Sequence, residues 1–111
     1  MNDKVLKELC KHLDPVIYPK GSRIIREGEP LDMMFFITQG IALSYNSDHS
    51  MTTRRLEKGE CYGEELLSWA ATASTSFSDL PNSLHTVKAH QNVELFAVQA
   101  ADLQSVLSYR F

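Results

Sequence analysis

The sequence predicts a mainly β domain with flanking helices and one short helix set among the strands. Three observations carry this. From Val16 to Leu56 the chain runs in short β-rich segments cut by glycine and polar turns, β-rich runs resume at Leu84 to Ala89 and Val93 to Val98, and helical spacing of apolar residues is confined to both ends and one central stretch. Turn signals every ~8–12 residues suggest a sandwich or barrel. With 111 residues, 43% of them hydrophobic, a single domain over 1–111 is expected, because a chain of roughly 100–150 residues builds one core.

The first element is an amphipathic helix. Val5, Leu6, Leu9, Cys10 and Leu13 fall on one side, with Lys4, Lys7, Glu8 and Lys11 mostly opposite. Pro15 is expected to end it, since proline lacks the N–H that continues the ladder. Strands are then expected at Val16-Ile17-Tyr18, Arg23-Ile24-Ile25, Met33 to Thr38, Ile41 to Tyr45 and Met51 to Leu56. The breaks fall at Lys20-Gly21, Glu27-Gly28-Glu29-Pro30, Gln39-Gly40, Asn46-Ser47-Asp48 and Lys58-Gly59, and Gln39-Gly40 reads as a tight hairpin. In the Met33 to Phe36 run, alternation along a strand should turn half the side chains inward. Glu64 to Ala71 has good helix formers, acids in its first turn, and Leu66, Leu67 and Trp69 to bury. Thr72 to Asn82, rich in Ser, Thr and Ala, reads as a surface loop. After two more strands, Ala100 to Phe111 sets Leu103, Val106 and Leu107 at helical spacing.

Composition narrows the function. With 11 Lys+Arg against 14 Asp+Glu and a formal charge of −3, the chain lacks the basic balance that a phosphate-neutralising nucleic-acid binder carries. No apolar run reaches the ~20 residues that span a bilayer, and Met1-Asn2-Asp3-Lys4 does not open a signal peptide, so the piece is expected to be soluble. Cys10 and Cys61 form neither a disulfide framework nor a zinc-binding spacing, and read as reduced cytosolic thiols. Arg54-Arg55 and the Lys20, Arg23, Arg26 group read as solvated strand faces, with an intersubunit salt contact as the alternative.

The stretch that could carry chemistry is strand, Gly63-Glu64, short helix, loop, strand. A glycine just before a helix lets a ligand approach the backbone, and the unpaired first-turn N–H groups favour an anion such as phosphate. Many helices also begin after a glycine because the turn alone requires it.

Cys61-Tyr62-Gly63-Glu64-Glu65-Leu66-Leu67-Ser68-Trp69-Ala70 is followed by Leu80-Pro81-Asn82-Ser83, Thr86-Val87-Lys88-Ala89, Val93-Glu94-Leu95-Phe96-Ala97 and Ala101-Asp102-Leu103. Together these resemble the cytosolic cyclic-nucleotide-binding domain of a plant cyclic nucleotide-gated ion channel, phosphate-binding cassette included. Ile25-Arg26-Glu27-Gly28-Glu29-Pro30, Met34-Phe35-Phe36-Ile37 and Gly40 resemble the β-roll of the same domain. The resemblance implies a jelly-roll-type β-roll with an inserted cassette helix. It implies no cofactor but a regulatory ligand, cyclic AMP or cyclic GMP, bound between roll and cassette so that pore opening is biased by differential affinity for two states. It also implies other channel subunits as partners, a place on the cytosolic face of the plasma membrane, and calmodulin bound through a helix beyond Phe111.

Carried over residue by residue, Gly63 matches the glycine against the sugar-phosphate, and Glu64 the acid on the ribose 2′-OH. Glu64 would also suit a plain first-turn acid at the positive end of the helix. Glu65 and Leu66 occupy positions whose N–H groups face the cyclic phosphate, while Leu67 and Trp69 pack. The family's arginine on the following strand is replaced by His85, beside a retained Thr86 that could donate its hydroxyl. Arginine is always charged and presents two parallel donors; histidine is shorter and mostly neutral near pH 7. Losing that contact at a buried phosphate would cost ~2–5 kcal/mol, or roughly one and a half to nearly four decades of affinity. Lys88 is not expected to substitute, because residues 85 and 88 of a strand point to opposite faces. The lid helix that caps the base in the family lies beyond the last residue, Phe111.

Two other functions come into view. A jelly-roll with four histidines could be a metal-dependent cupin, but His12, His49, His85 and His90 lack the His-x-His spacing, and no nucleophile arrangement accompanies them, so an enzyme is not expected. The competitor is a degenerate, ligand-free domain that serves as a subunit or protein interaction module, marked by exposed apolar surface.

Overall fold

A computed structural model describes residues 3–47, 49–71 and 77–110. The chain runs α1 (Asp3–Cys10), β1 (Asp14–Tyr18), β2 (Arg23–Ile25), β3 (Met33–Gln39), β4 (Ala42–Asn46), β5 (His49–Leu56), β6 (Cys61–Tyr62), α2 (Glu65–Ala71), a single 3₁₀ turn (Phe77–Asp79), β7 (Thr86–Ala89), β8 (Val93–Gln99) and α3 (Ala100–Arg110). Two antiparallel four-stranded sheets face each other, in the orders β1-β8-β3-β6 and β2-β7-β4-β5. All the expected strands and all three helices are present. Residues 72–76 of the expected loop, and Phe111, lie outside the described residues.

Several local details differ from expectation. α1 closes at Cys10 through turn bonds from Lys11 N–H to the Glu8 carbonyl and from His12 N–H to the Leu9 carbonyl, before Pro15 is reached. Pro15 instead lies inside β1, opposite Phe96. β1 is an outer strand, where a missing N–H is tolerated.

Gln39-Gly40 is not a hairpin. β3 and β4 belong to different sheets, and Gly40, at φ +88°, carries the chain across from one to the other. A Cβ there would strike the Asn92 carbonyl oxygen, so only glycine fits this crossing.

The core lies between the sheets, with Phe35, Ile37, Leu56, Val87, Val93 and Leu95 almost wholly buried. Alternation on β3 is incomplete: Met33, Met34 and Phe35 are all buried, and only Phe36 of the four is exposed. Met34 points away from the roll into an apolar groove of about 440 Å3 shared with Leu9 and Leu13 near α1, Leu67 of α2 and Val98, so the helices cover the second face of β3. α3 packs on both α2 and α1, and His12 Nδ1 stands 3.5 Å from Asp102 Oδ1 between the first and last helices.

Candidate functional site

The site grows from a two-residue strand. β6 pairs with β3, Tyr62 opposite Phe35 and Cys61 opposite Phe36, and the Tyr62 and Phe35 rings stack with centroids 5.8 Å apart. The chain then turns at Gly63, φ +91°, where a Cβ would sit 2.8 Å from the Met33 carbonyl oxygen. β6 therefore reaches β3 closely only because residue 63 has no side chain. Leu66 N–H donates to the Gly63 carbonyl at 3.0 Å and Leu67 N–H to the Glu64 carbonyl at 2.9 Å, closing the first turn of α2. Leu66 and Trp69 anchor that helix in the core.

A second set of bonds fixes the segment opposite. Gly28 N–H donates to the Ser83 carbonyl, Leu31 N–H to that of Pro81, and Ser83 N–H to that of Glu29. The Ser83 hydroxyl, buried at 2% exposure, lies 3.0 Å from the Tyr62 hydroxyl and donates to the His85 carbonyl at 2.6 Å. Tyr62, Ser83 and His85 thus form one relay that holds the bend at 84–85 against β6.

Between these segments is a cavity of about 290 Å3, walled by Ser44 of β4, Arg54 of β5, Tyr62, Gly63, Glu64, Glu65, Leu84 and His85. Of the six residues expected to form the site, the cavity brings together Gly63, Glu64, Glu65 and His85. It excludes the other two. Leu66 has a fully buried side chain and its N–H is engaged by Gly63, because α2 begins with a tight turn. Thr86 opens β7, whose Val87 faces inward, so its side chain turns outward. There its Oγ1 accepts the Glu27 N–H at 3.0 Å, beside Arg23, Arg26 and Tyr45 in a separate cavity of about 470 Å3. Lys88 also faces away, toward Lys20 and His90, as expected.

Arg54 is the residue that the sequence reading missed. It faces Ser44 across the β4–β5 pairing and precedes buried Leu56 by two, the strand spacing that puts both on one face. Its Nη2 lies 3.3 Å from Glu60 Oε2 and 3.4 Å from the Cys61 carbonyl. Arg55 points elsewhere, pairing with Glu57 at 2.8 Å. Partial burial pushes the Cys61 thiol up to about 11, with a hydrogen bond to Glu64 and the Glu64 and Glu60 charges adding to it and Arg54 opposing it. Glu64 therefore reaches toward Cys61 and the apolar groove as well as toward the cavity. Among the described residues no three His, Cys, Asp or Glu side chains gather to hold a metal ion.

A β-roll with a glycine-led helix at a polar cavity is one observation; the other is that residues 15–110 match the family described as the cyclic nucleotide-binding domain. The chain belongs to that family. Among its relatives, this cyclic nucleotide-binding domain is 42% identical over 97% of its length to "Cyclic nucleotide-gated ion channel 1" of Arabidopsis thaliana. It is 38% identical over the same share to "Protein CNGC15c" of Medicago truncatula. It spans about 16% of each of those proteins. The solution structure of the cNMP-binding domain from an Arabidopsis thaliana cyclic nucleotide-regulated ion channel superposes with a TM-score of 0.83 at 35% identity, covering 98% of this chain and 82% of that one. The cyclic nucleotide-binding domain is thus of the type found in plant cyclic nucleotide-gated channels, with their jelly-roll fold. No helix among its described residues is long and apolar enough to cross a membrane.

Proposed function

We propose that this domain binds cyclic AMP or cyclic GMP in the cavity at Gly63 and thereby regulates a plant cyclic nucleotide-gated cation channel. The supporting observation is that the segment matching the family, residues 15–110, encloses a cavity walled in part by Gly63, Glu64, Glu65 and His85. Gly63 lets the ligand approach the backbone, the Glu64 carboxylate accepts from the ribose hydroxyl, the Glu65 amide faces the phosphate, and His85 stands where the family carries arginine. The site is weak because one imidazole replaces a charged two-donor fork. In the parent protein the domain lies on the cytosolic face of the plasma membrane, among other channel subunits, with calmodulin binding beyond residue 111.

The test is a titration of the chain with each nucleotide, followed at backbone amides by NMR, beside His85→Arg. Saturable shifts at Gly63, Glu64 and Glu65, tightened in His85→Arg by roughly one and a half decades or more, support the reading. Silence in both proteins rejects it.

A second reading has its own observation. Phe36 and Phe96, opposite each other across β3 and β8, are exposed at 38% and 39%, and Pro15 extends the row. An apolar row on the outer face suits a ligand-free interaction module. In that case Phe36→Ser and Phe96→Ser disturb subunit association and no nucleotide binds.

A further inference from the structure

We propose that Arg54 supplies the positive charge that holds the anionic phosphate of the nucleotide, the role that His85 fills poorly; this rests on the nucleotide reading above. Among the described residues, Arg54 is the one lysine or arginine in the wall of the 290 Å3 cavity. Two carboxylates, Glu64 and Glu65, share that wall, so an anion entering without a cationic partner meets net repulsion. A histidine offsets this only when protonated, whereas a guanidinium is charged at every working pH.

The position of Arg54 is fixed by the sheet. It lies opposite Ser44, whose side chain is buried, and two residues before buried Leu56, so its side chain rises from the inward face of β5 toward the cavity mouth. One nitrogen, Nη2, leans on the Cys61 carbonyl and Glu60 Oε2, which aims the head group at the strand that leads into Gly63. Arginine has five N–H donors, and among the described residues only Nη2 of Arg54 is engaged, which leaves those on Nε and Nη1 for a ligand. The pair with Glu60 is half-exposed on both sides, at 46% and 38%. Such pairs contribute little, so exchanging the carboxylate for a phosphate costs little.

The experiment is calorimetric titration of the chain with cyclic AMP and with cyclic GMP, comparing the unaltered protein, Arg54→Ala and Arg54→Lys, each checked for an undisturbed amide spectrum. Arg54→Ala is expected to weaken both nucleotides alike, by about tenfold or more, while Arg54→Lys keeps most of the affinity because the charge remains. Unchanged affinity in Arg54→Ala, with the unaltered chain still binding, overturns the inference and leaves the nucleotide reading standing. Loss confined to one nucleotide also overturns it, because the guanidinium then touches the base. An unaltered, well-folded chain that binds neither nucleotide at millimolar concentration overturns the nucleotide reading and this inference with it.

Discussion

At Gly63 a single missing carbon serves the fold before any ligand is considered, since the Met33 carbonyl occupies the place of a Cβ. Gly63→Ala forces both a left-handed backbone and a contact with rigid main chain. It is expected to lower stability by about 1–3 kcal/mol, read as a fall in the urea midpoint at unchanged slope. The two cysteines separate by environment. Cys10 is exposed and Cys61 is not, and the folded state raises the Cys61 thiol from 9.0 to about 11. A raised thiol means that folding favours the protonated form. Its contribution is therefore fully present below pH 9 and lost as pH rises toward about 11. Alkylation with iodoacetamide below pH 9 is expected to label Cys10 quickly and Cys61 only after unfolding; equal labelling of both in the native chain would contradict this assignment. Arg54 shows where residue-level reading falls short. Beside Arg55 it looks like one half of a solvated pair, and only its phase relative to Leu56 reveals the inward face.

Individual elements were readable where local chemistry decides and misread where a distant partner decides. The spacing of Leu103, Val106 and Leu107 and the glycine-led start of α2 depend on neighbours in sequence, and both helices lie where expected. Gln39-Gly40 announces a reversal, but nothing local says that Gly40 must clear the Asn92 carbonyl and deliver β4 to the other sheet. Met34 breaks strand alternation because α1 from the start of the chain and α2 from its middle cover it. At the site the same division holds. The motif around Gly63 groups Glu64, Glu65 and His85, and the fold sets all three in the wall of one cavity, whereas the separation of Thr86 depends on β7 starting at residue 86, and strand starts are not encoded in a motif.

Across the whole molecule, the first strand closes the sheet by pairing with the last, residue 14 against residue 97. β8 is thereby flanked by β1 on one side and β3 on the other, and its alternating Val93, Leu95 and Ala97 are buried. β1 is short, begins with Asp14 and carries Pro15, three traits that discourage a further strand from adding to it. The small outer strand is thus a stopper against self-assembly. Removing residues 1–18 would leave β8 with an open row of main-chain donors and acceptors beside exposed Phe96. That shortened chain is expected to aggregate at concentrations where the full chain stays monodisperse in light scattering; an equally monodisperse truncation would show that the edge needs no such guard. A strand with little share in the core then matters most for what it keeps the chain from becoming.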